Sequence, residues 1–385
     1  MGELTDLIPT PSYVFDEDAF QNRIRRISEY LTDIPLCYSI KANPFLVGSI
    51  PKEISHLEVC SPGELTICEK MDVDLSTVVF SGVNKTAENV EQAMKDNVGV
   101  FTAESSLHLM LINECAAKHS KKVKLILRLS CGNQFGMDEE ELKEIIAHRG
   151  KYKNTEIVGI HYYTGTQKKK AALILKELEK LDSLLTQLKC DYNYNASMVE
   201  YGPGMACDYF GESPEETDMQ LLSEIADGLK DFAGKYPLSV EMGRFMASDC
   251  GYYYTKVDDT KVIHGINYAI CDGGVHHLKY YGQTMSMQVP PIRVLNPFDG
   301  ETKPWSLCGS LCTTADVFVR KVELTGLGQG SVIEFGRCGA YSVTEAPVLF
   351  LSRPFPEIYL ISSEKGLRKV RETVLACDLN LAKTE

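Results

Sequence analysis

Eight short apolar runs, rich in β-branched residues, alternate with helix-like segments over the first two thirds of the chain. The runs lie at residues 35–42, 57–61, 76–82, 99–105, 123–130, 157–165, 198–204 and 238–245. Strands that are apolar nearly throughout are typical of a parallel sheet buried on both faces. Eight strand–helix units in roughly 210 residues match a (β/α)8 TIM-type barrel. The alternation therefore predicts an α/β barrel, with a doubly wound open sheet as the alternative.

The sequence changes character after residue 245. Strand-like runs separated by Gly- and Asp-rich turns follow, with few helix-like segments, and they predict a β domain. We expect residues 35–245 to form the barrel and residues 246–385 to form a C-terminal β domain. Residues 363–379, SEKGLRKVRETVLACDL, are predicted to form a closing helix of that domain.

The composition is that of an ordinary soluble globular protein, with 44% hydrophobic and 24% charged residues among 385. The formal net charge of −13 argues against nucleic acid or an anionic membrane surface as a partner. The 13 cysteines lack short regular spacings, which favours free thiols in a reducing compartment. Because no signal peptide or membrane span is recognisable, we expect a cytoplasmic protein.

Polar residues and glycines collect where the predicted strands end, which is where a barrel of this kind forms its active site. Each has an ordinary structural interpretation, such as a solvated lysine, a turn, a surface ion pair or a core histidine. Together they offer an amine for an aldehyde, glycines and an arginine for a phosphate, and a carboxylate. That set predicts pyridoxal 5′-phosphate as the cofactor. The residues are Lys41, Ser61, Glu64, Arg128, His161, Tyr163, Gly165, Thr166, Gly202, Gly204, Glu241, Gly243 and Arg244.

Seven motifs carry a resemblance to a known family: YSIKANP, EVCSPGEL, GIHYYTGTQ, YGPG, EMGRF, GSLCTTADVF and CGAY. In this combination they resemble the ornithine and diaminopimelate decarboxylases, pyridoxal-phosphate enzymes that share the fold of alanine racemase. The resemblance runs over nearly the whole chain, from PSYVFD to APVLF. It implies that residues 1–34 join the β domain and that the chain forms a head-to-tail homodimer.

The resemblance also implies a role for each matching residue. Lys41 would carry the cofactor as a Schiff base, and Glu241 would meet its pyridine nitrogen. Cys312 would be the catalytic cysteine, completing the site of the partner chain. The remaining cofactor contacts would be Ser61, Arg128, His161, Tyr163, Thr166, Gly202, Gly204, Gly243, Arg244 and Tyr341.

Glu241 favours decarboxylation over racemisation. A carboxylate beside the pyridine nitrogen stabilises its protonated form, which makes the ring a better electron sink. In racemases of this fold, by the same resemblance, an arginine occupies that position and leaves the ring nitrogen unprotonated. Cys312 would then protonate the carbanion, although a free cysteine is most often a small buried hydrophobe. A racemase and a non-catalytic homologue with a regulatory role stay open as alternatives, and we predict no metal site.

Thr313 is the most informative departure from the family pattern. Relatives that act on free diamino acids often carry Asp or Glu there, to bind the distal amine. A neutral residue cannot pair with an ammonium group, so the substrate either lacks a free distal amine or binds it elsewhere. We predict Thr313 and Asp316 as substrate contacts, and an L-amino acid or derivative as substrate. Candidates are an ornithine-like amino acid, diaminopimelate and a glutamyl group presented on an acyl carrier protein, as in some relatives from secondary metabolism.

Overall fold

Eight parallel strands close into a barrel in the computed structural model, which describes residues 8–382. The strands follow one another in chain order around the barrel, and the last pairs with the first through Leu36 opposite Val240 and Cys37 opposite Glu241. This closure confirms the predicted TIM-type barrel and excludes the open sheet. The barrel belongs to one compact unit, residues 21–207 and 216–246. A second unit comprises the described residues among 1–20, 208–215 and 247–385.

The elements have the following bounds. The strands are β1 (Ser12–Asp16), β2 (Leu36–Ser39), β3 (Ile54–Val59), β4 (Val78–Phe80), β5 (Val100–Ala103), β6 (Val123–Leu129), β7 (Thr155–Tyr163), β8 (Met198–Gly202), β9 (Leu238–Met242), β10 (Gly251–Ile263), β11 (Ile266–Cys271), β12 (Ile292–Val294), β13 (Thr302–Cys308), β14 (Val317–Thr325), β15 (Val332–Phe335), β16 (Glu357–Ser362) and β17 (Gly366–Arg371). The helices are α1 (Glu17–Tyr30), α2 (Pro62–Lys70), α3 (Ala87–Lys95), α4 (Ser106–Lys118), α5 (Glu139–Ala147), α6 (Ala171–Tyr192), α7 (Pro214–Ala233), α8 (Arg244–Ala247) and α9 (Ala376–Asn380). Short 3-10 turns lie at Ile40–Ala42, Pro44–Ser49, Leu75–Thr77, Arg149–Lys151, Ser248–Cys250 and Phe350–Ser352.

Local sequence accounts for the helices that surround the barrel. Thr86 caps α3 in a capping box with Asn89, and Val90, Ala93 and Met94 are buried on one face of that helix. Ser105 caps α4 and Asp138 caps α5, each side chain accepting a backbone N–H in the first turn. Buried aliphatic side chains of neighbouring strands pack together beneath them, including Val79, Val100, Ile126 and Val158.

The second unit is built on a mainly antiparallel sheet in the order β14-β13-β11-β10-β1-β16-β17, with β15 paired to β10 and β12 paired to β15. Strand β1 lies between β10, to which it is antiparallel, and β16, to which it is parallel. The N-terminal strand is thus central to a sheet made otherwise of C-terminal strands. Residues 1–7 of the predicted N-terminal segment lie outside the described residues, and the predicted domain boundaries stay a prediction.

The predicted closing helix over residues 363–379 is wrong. Gly366–Arg371 forms β17, which pairs antiparallel with β16, and only Ala376–Asn380 is helical. Gly366 has a φ of +65°, which suits the tight turn between the two strands. The exposed edge of β16 offers backbone hydrogen bonds, and this pairing outweighs the local helical preference. Over the described residues, no helix is both long and apolar enough to cross a membrane.

Candidate active site

Lys41 lies immediately after β2, in the 3-10 turn Ile40–Ala42 at the carboxyl end of the strand. Its Nζ contacts the buried carboxylate of Glu58 on β3 and lies 3.7 Å from Oε1 of Glu241 on β9. The side chain keeps 35% of its surface exposed. The amine therefore sits between two carboxylates and is still accessible to a ligand.

Glu241 is buried and is held by several groups. The Ser39 hydroxyl donates a hydrogen bond of 2.7 Å to its Oε1, and Nε2 of His161 lies 3.0 Å from its Oε2. Burial alone would raise the pKa of this carboxyl, but the Lys41 ammonium, His161 and the Ser39 hydrogen bond together hold the pKa well below its usual range. Glu241 is thus a carboxylate that can pair with a cationic ring nitrogen.

Glu200 is a site residue that the sequence analysis missed. It lies on β8 and is fully buried, and its carboxyl oxygen, one of Glu241 and a ring nitrogen of His161 lie within 4.8 Å of one another. Burial and then the carboxylates of Glu241 and Glu58 raise its pKa well above the ordinary value. The ionised form of Glu200 is thus disfavoured beside the Glu241 carboxylate. A charged residue within the apolar run 198–202 is the sequence pattern that could have identified it.

The glycine-rich stretches that end β7 and β8 are in close contact. Gly204 has a φ of +60°, and a Cβ there would lie 1.8 Å from the carbonyl oxygen of Gly165. A Cβ on Gly202 would lie 2.7 Å from the ring of Tyr163. Side chains larger than hydrogen are thus excluded at both positions, and glycine-rich loops of this kind are typical of phosphate sites.

Gln167 fixes the same two loops relative to each other and was given no role by the sequence analysis. Its side chain donates to the Cys207 carbonyl at 3.2 Å and accepts from the Cys207 N–H at 2.6 Å. The Lys168 N–H adds a bond of 2.9 Å to the Gly204 carbonyl. Thr166, a predicted phosphate contact, lies within this fixed segment and is half-buried. Gln167 is the last residue of the motif GIHYYTGTQ, so the motif contained it, but the motif alone did not indicate its role.

The end of β9 lies beside the turn that carries Lys41. A Cβ on Gly243 would lie 2.9 Å from the Cβ of Ala42 and 3.0 Å from the Ser39 carbonyl. Arg244 follows as the buried first residue of α8. Glycine at position 243 is thus required for the close approach of β9 to β2.

Ser61 and Arg128 have local partners that explain their positions. Ser61 caps α2 by accepting the Glu64 N–H at 3.2 Å, while Glu64 accepts the Cys60 N–H at 2.6 Å. Ser61 is thus the N-cap of α2, and Glu64 connects the residue before the cap to the first turn. Arg128 donates to the buried Glu104 carboxylate at 3.0 Å. The predicted contacts of Ser61 and Arg128 with the cofactor stay predictions.

The remaining predicted residues lie in the second unit. Cys312 and Thr313 are exposed in the loop between β13 and β14. Asp316 is buried and holds that loop, accepting the Leu311 N–H at 2.6 Å and the Val275 N–H at 2.8 Å. Its carboxylate therefore stabilises the loop through these two hydrogen bonds, and its predicted contact with substrate stays a prediction. Tyr341 is half-buried with a φ of +65°, a conformation that non-glycine residues seldom adopt.

A closed barrel with an amine between carboxylates and closely packed glycine-rich loops at the strand ends has the features of a pyridoxal-phosphate enzyme. A family model described as the pyridoxal binding domain of the pyridoxal-dependent decarboxylases matches residues 17–248. The chain belongs to this family. Pyridoxal phosphate is its cofactor and amino-acid decarboxylation is its class of reaction, as the sequence analysis predicted.

Several relatives span nearly the whole chain. An L-glutamyl-[BtrI acyl-carrier protein] decarboxylase from Niallia circulans is 26% identical over 98% of this chain and 94% of its own. The diaminopimelate decarboxylase of Aquifex aeolicus (strain VF5) is 26% identical over 89% of this chain and 84% of its own. A third relative is a 2-[(L-alanin-3-ylcarbamoyl)methyl]-2-hydroxybutanedioate decarboxylase from Staphylococcus aureus (strain NCTC 8325 / PS 47). It is 24% identical over 93% of this chain and 95% of its own.

The solved structures agree with the fold. The diaminopimelate decarboxylase of M. jannaschii, in complex with L-lysine, superposes with a TM-score of 0.88. The match covers 98% of this chain and 93% of the other at 24% identity. The barrel with an additional, mainly antiparallel sheet is thus the architecture of this family.

Proposed function

We propose that the enzyme decarboxylates an amino acid whose side chain has no free distal amine, with a glutamyl group on an acyl carrier protein as the first candidate. Thr313 is the observation that carries the proposal. It is exposed beside Cys312, at the position where the resemblance expects an acid that binds a distal ammonium group. A neutral hydroxyl at position 313 suits a substrate side chain that ends in an uncharged thioester or amide better than one that ends in an ammonium group.

Two relatives support this choice of substrate. The Niallia circulans enzyme is named for a glutamyl group on a carrier protein, and it matches this chain over nearly its full length. The Staphylococcus aureus enzyme is named for a substrate whose alanine part bears a carbamoyl group. Diaminopimelate and ornithine-like amino acids are the alternatives, because other relatives are diaminopimelate decarboxylases.

The barrel residues suit the cofactor. Lys41 would bind its aldehyde carbon, and Glu241 would hold the proton on its ring nitrogen. The backbone N–H groups around Gly202, Gly204 and Gly243, together with Arg244, would bind its phosphate. When bound, pyridoxal phosphate provides the sink for the electron pair that the substrate's α-carboxylate leaves behind as it departs as carbon dioxide.

Cys312 would return a proton to the α-carbon, from its thiol sulfur. Its exposure supports this role, since an inert structural cysteine is usually buried. The Asp316 hydrogen bonds would hold the loop that presents it. We propose that two chains form a homodimer in which Cys312 of each chain serves the site of the other.

Carbon dioxide release from the cofactor-loaded enzyme tests the choice of substrate. The panel contains ornithine, lysine, arginine, diaminopimelate, free glutamate and a glutamyl thioester on a carrier protein. The proposal predicts release from the thioester and little from the diamino acids. Comparable or faster release from a single free diamino acid would place the distal-amine site elsewhere and overturn it.

A further inference from the structure

We propose, contrary to the expectation of no metal site drawn from the sequence, that Glu91, Cys115 and His119 form a binding site for a zinc-type divalent cation on the helices that surround the barrel. Glu91 lies on α3, Cys115 on α4, and His119 is the residue that ends α4. Nothing in the decarboxylation reaction uses these three residues. The site is independent of the proposed substrate.

The three ligand atoms already lie close together. Nε2 of His119 is 2.9 Å from Oε1 of Glu91, and Sγ of Cys115 is 3.3 Å from Oε2 of Glu91. All three ligand atoms lie within 4.8 Å of one another. Tetrahedral zinc holds its sulfur, nitrogen and oxygen ligands roughly 3.3–3.8 Å apart, given bond lengths of about 2.0–2.3 Å. Small side-chain rotations would therefore bring this set to coordinating distances.

Two helices hold the ligands in place. Cys115 and His119 are four residues apart, so they lie one turn apart on the same face of α4. Glu91 faces them from α3, whose start is fixed by the Thr86 capping box. The Cys115 side chain is nearly buried, whereas those of His119 and Glu91 are 25% and 36% exposed. A metal ion could reach the site from solvent and keep a water molecule as fourth ligand.

The chemistry of the ligands selects the metal. Thiolate, imidazole and carboxylate together suit Zn²⁺, Co²⁺ or Cd²⁺, whereas Mg²⁺ and Ca²⁺ prefer oxygen ligands alone. A cysteine thiol carries its proton near neutral pH, and it binds a metal ion as the thiolate. Binding would break the S–H bond, form a sulfur–metal bond and release one proton to solvent, without oxidation or reduction. Two anionic ligands would then balance a divalent ion.

Lys95 is a cationic neighbour of the site that forms an ion pair with Glu91. Its Nζ lies 3.2 Å from Oε1 of Glu91, and 63% of the side chain is exposed. An exposed pair of this kind is weak and its lysine can turn into solvent. A divalent ion bound by three ligands would therefore displace it.

The site is separate from the other potential metal-ligating cluster in the described part of the chain, His161, Glu200 and Glu241. That cluster is fully buried and belongs to the cofactor site. The surface site can thus be probed in the cofactor-loaded enzyme.

Cobalt(II) titration of the holoenzyme, followed by thiolate-to-cobalt absorption, tests the proposal, and Zn²⁺ calorimetry gives the affinity. We expect one equivalent to bind with release of one proton from Cys115. The variants Cys115→Ser, His119→Gln and Glu91→Gln should each bind at least about tenfold more weakly. Cys190→Ser and His148→Gln, which alter exposed residues elsewhere, should bind like the unmodified enzyme.

The Glu91 side chain is partly exposed, so Glu91→Gln should change metal affinity while leaving folding intact. Absence of a stoichiometric cobalt–thiolate band in the unmodified enzyme would overturn the proposal. Equal affinity in Cys115→Ser and the unmodified enzyme would overturn it as well.

Discussion

The hydroxyl of Ser39 donates a 2.7 Å hydrogen bond to the carboxylate of Glu241 across the seam at which β2 meets β9. Closing the barrel therefore also orients the acid at the cofactor site. Lys41, two residues after Ser39, lies 3.7 Å from the same carboxylate. The amine and the carboxylate are positioned by one strand pair.

Replacing Glu241 with glutamine should lower kcat by about a hundredfold or more, because a neutral amide cannot stabilise a protonated ring nitrogen. Ser39→Ala keeps the carboxylate and loses one hydrogen bond of about 1 kcal/mol, so it should cost only about fivefold. Steady-state kinetics on both variants checks this. Equal losses in the two variants would contradict a role for the charge of Glu241.

Lys41→Ala should abolish the imine absorbance of the purified enzyme, because no other amine is expected to bind the cofactor aldehyde. Lys169→Ala, an exposed lysine after the sixth-strand motif, is the matched control and should keep the yellow band. Spectra of the two proteins at equal concentration make the comparison. Survival of the band in Lys41→Ala would disprove the assignment.

Glu200 should make the cofactor-free protein less stable as pH rises. Its pKa is raised in the folded state, so above the ordinary value near 4.5 the unfolded chain releases a proton that the folded chain retains. Relative to Glu200→Gln, the free energy of unfolding should fall from pH 5 upward, by at most about 1.4 kcal/mol per pH unit. Urea unfolding of both proteins between pH 5 and 8 measures the difference. A difference that stays constant with pH would show that Glu200 is ionised.

Shared active sites can be tested by mixing two inactive variants. Lys41→Ala and Cys312→Ala should each be slow as homodimers. Random exchange of chains should restore about a quarter of the unmodified activity, because half of the dimers then hold one intact site. Activity after mixing and refolding is the readout. No recovery, with dimers verified by light scattering, would place Cys312 in the site of its own chain, and full activity of the Cys312→Ala homodimer would place it outside catalysis.

The barrel was predictable because its strands are apolar runs bounded by turn residues, and because helices such as α3, α4 and α5 have a capping residue and a buried face. Lys41 and Glu241 were recognised because charged groups at the ends of buried strands are unusual. Residues 363–379 were mistaken for a helix because the pairing of β17 with β16, a tertiary effect, cannot be predicted from the sequence pattern of those residues alone. Glu200 stands out in its apolar run, but the raised pKa of its carboxyl depends on Glu241 and Glu58 from other strands, which the local sequence does not show.

The specificity of the loop at Thr313 provides the most direct test of the proposed function. The measurement is the ratio of kcat/KM for a carrier-bound glutamyl thioester to that for diaminopimelate, by carbon dioxide release. We predict a ratio far above one in the unmodified enzyme. Thr313→Asp should reduce it by about tenfold, as one charge-assisted hydrogen bond would, whereas Thr314→Asp should leave it unchanged. A ratio below one in the unmodified enzyme would contradict the account.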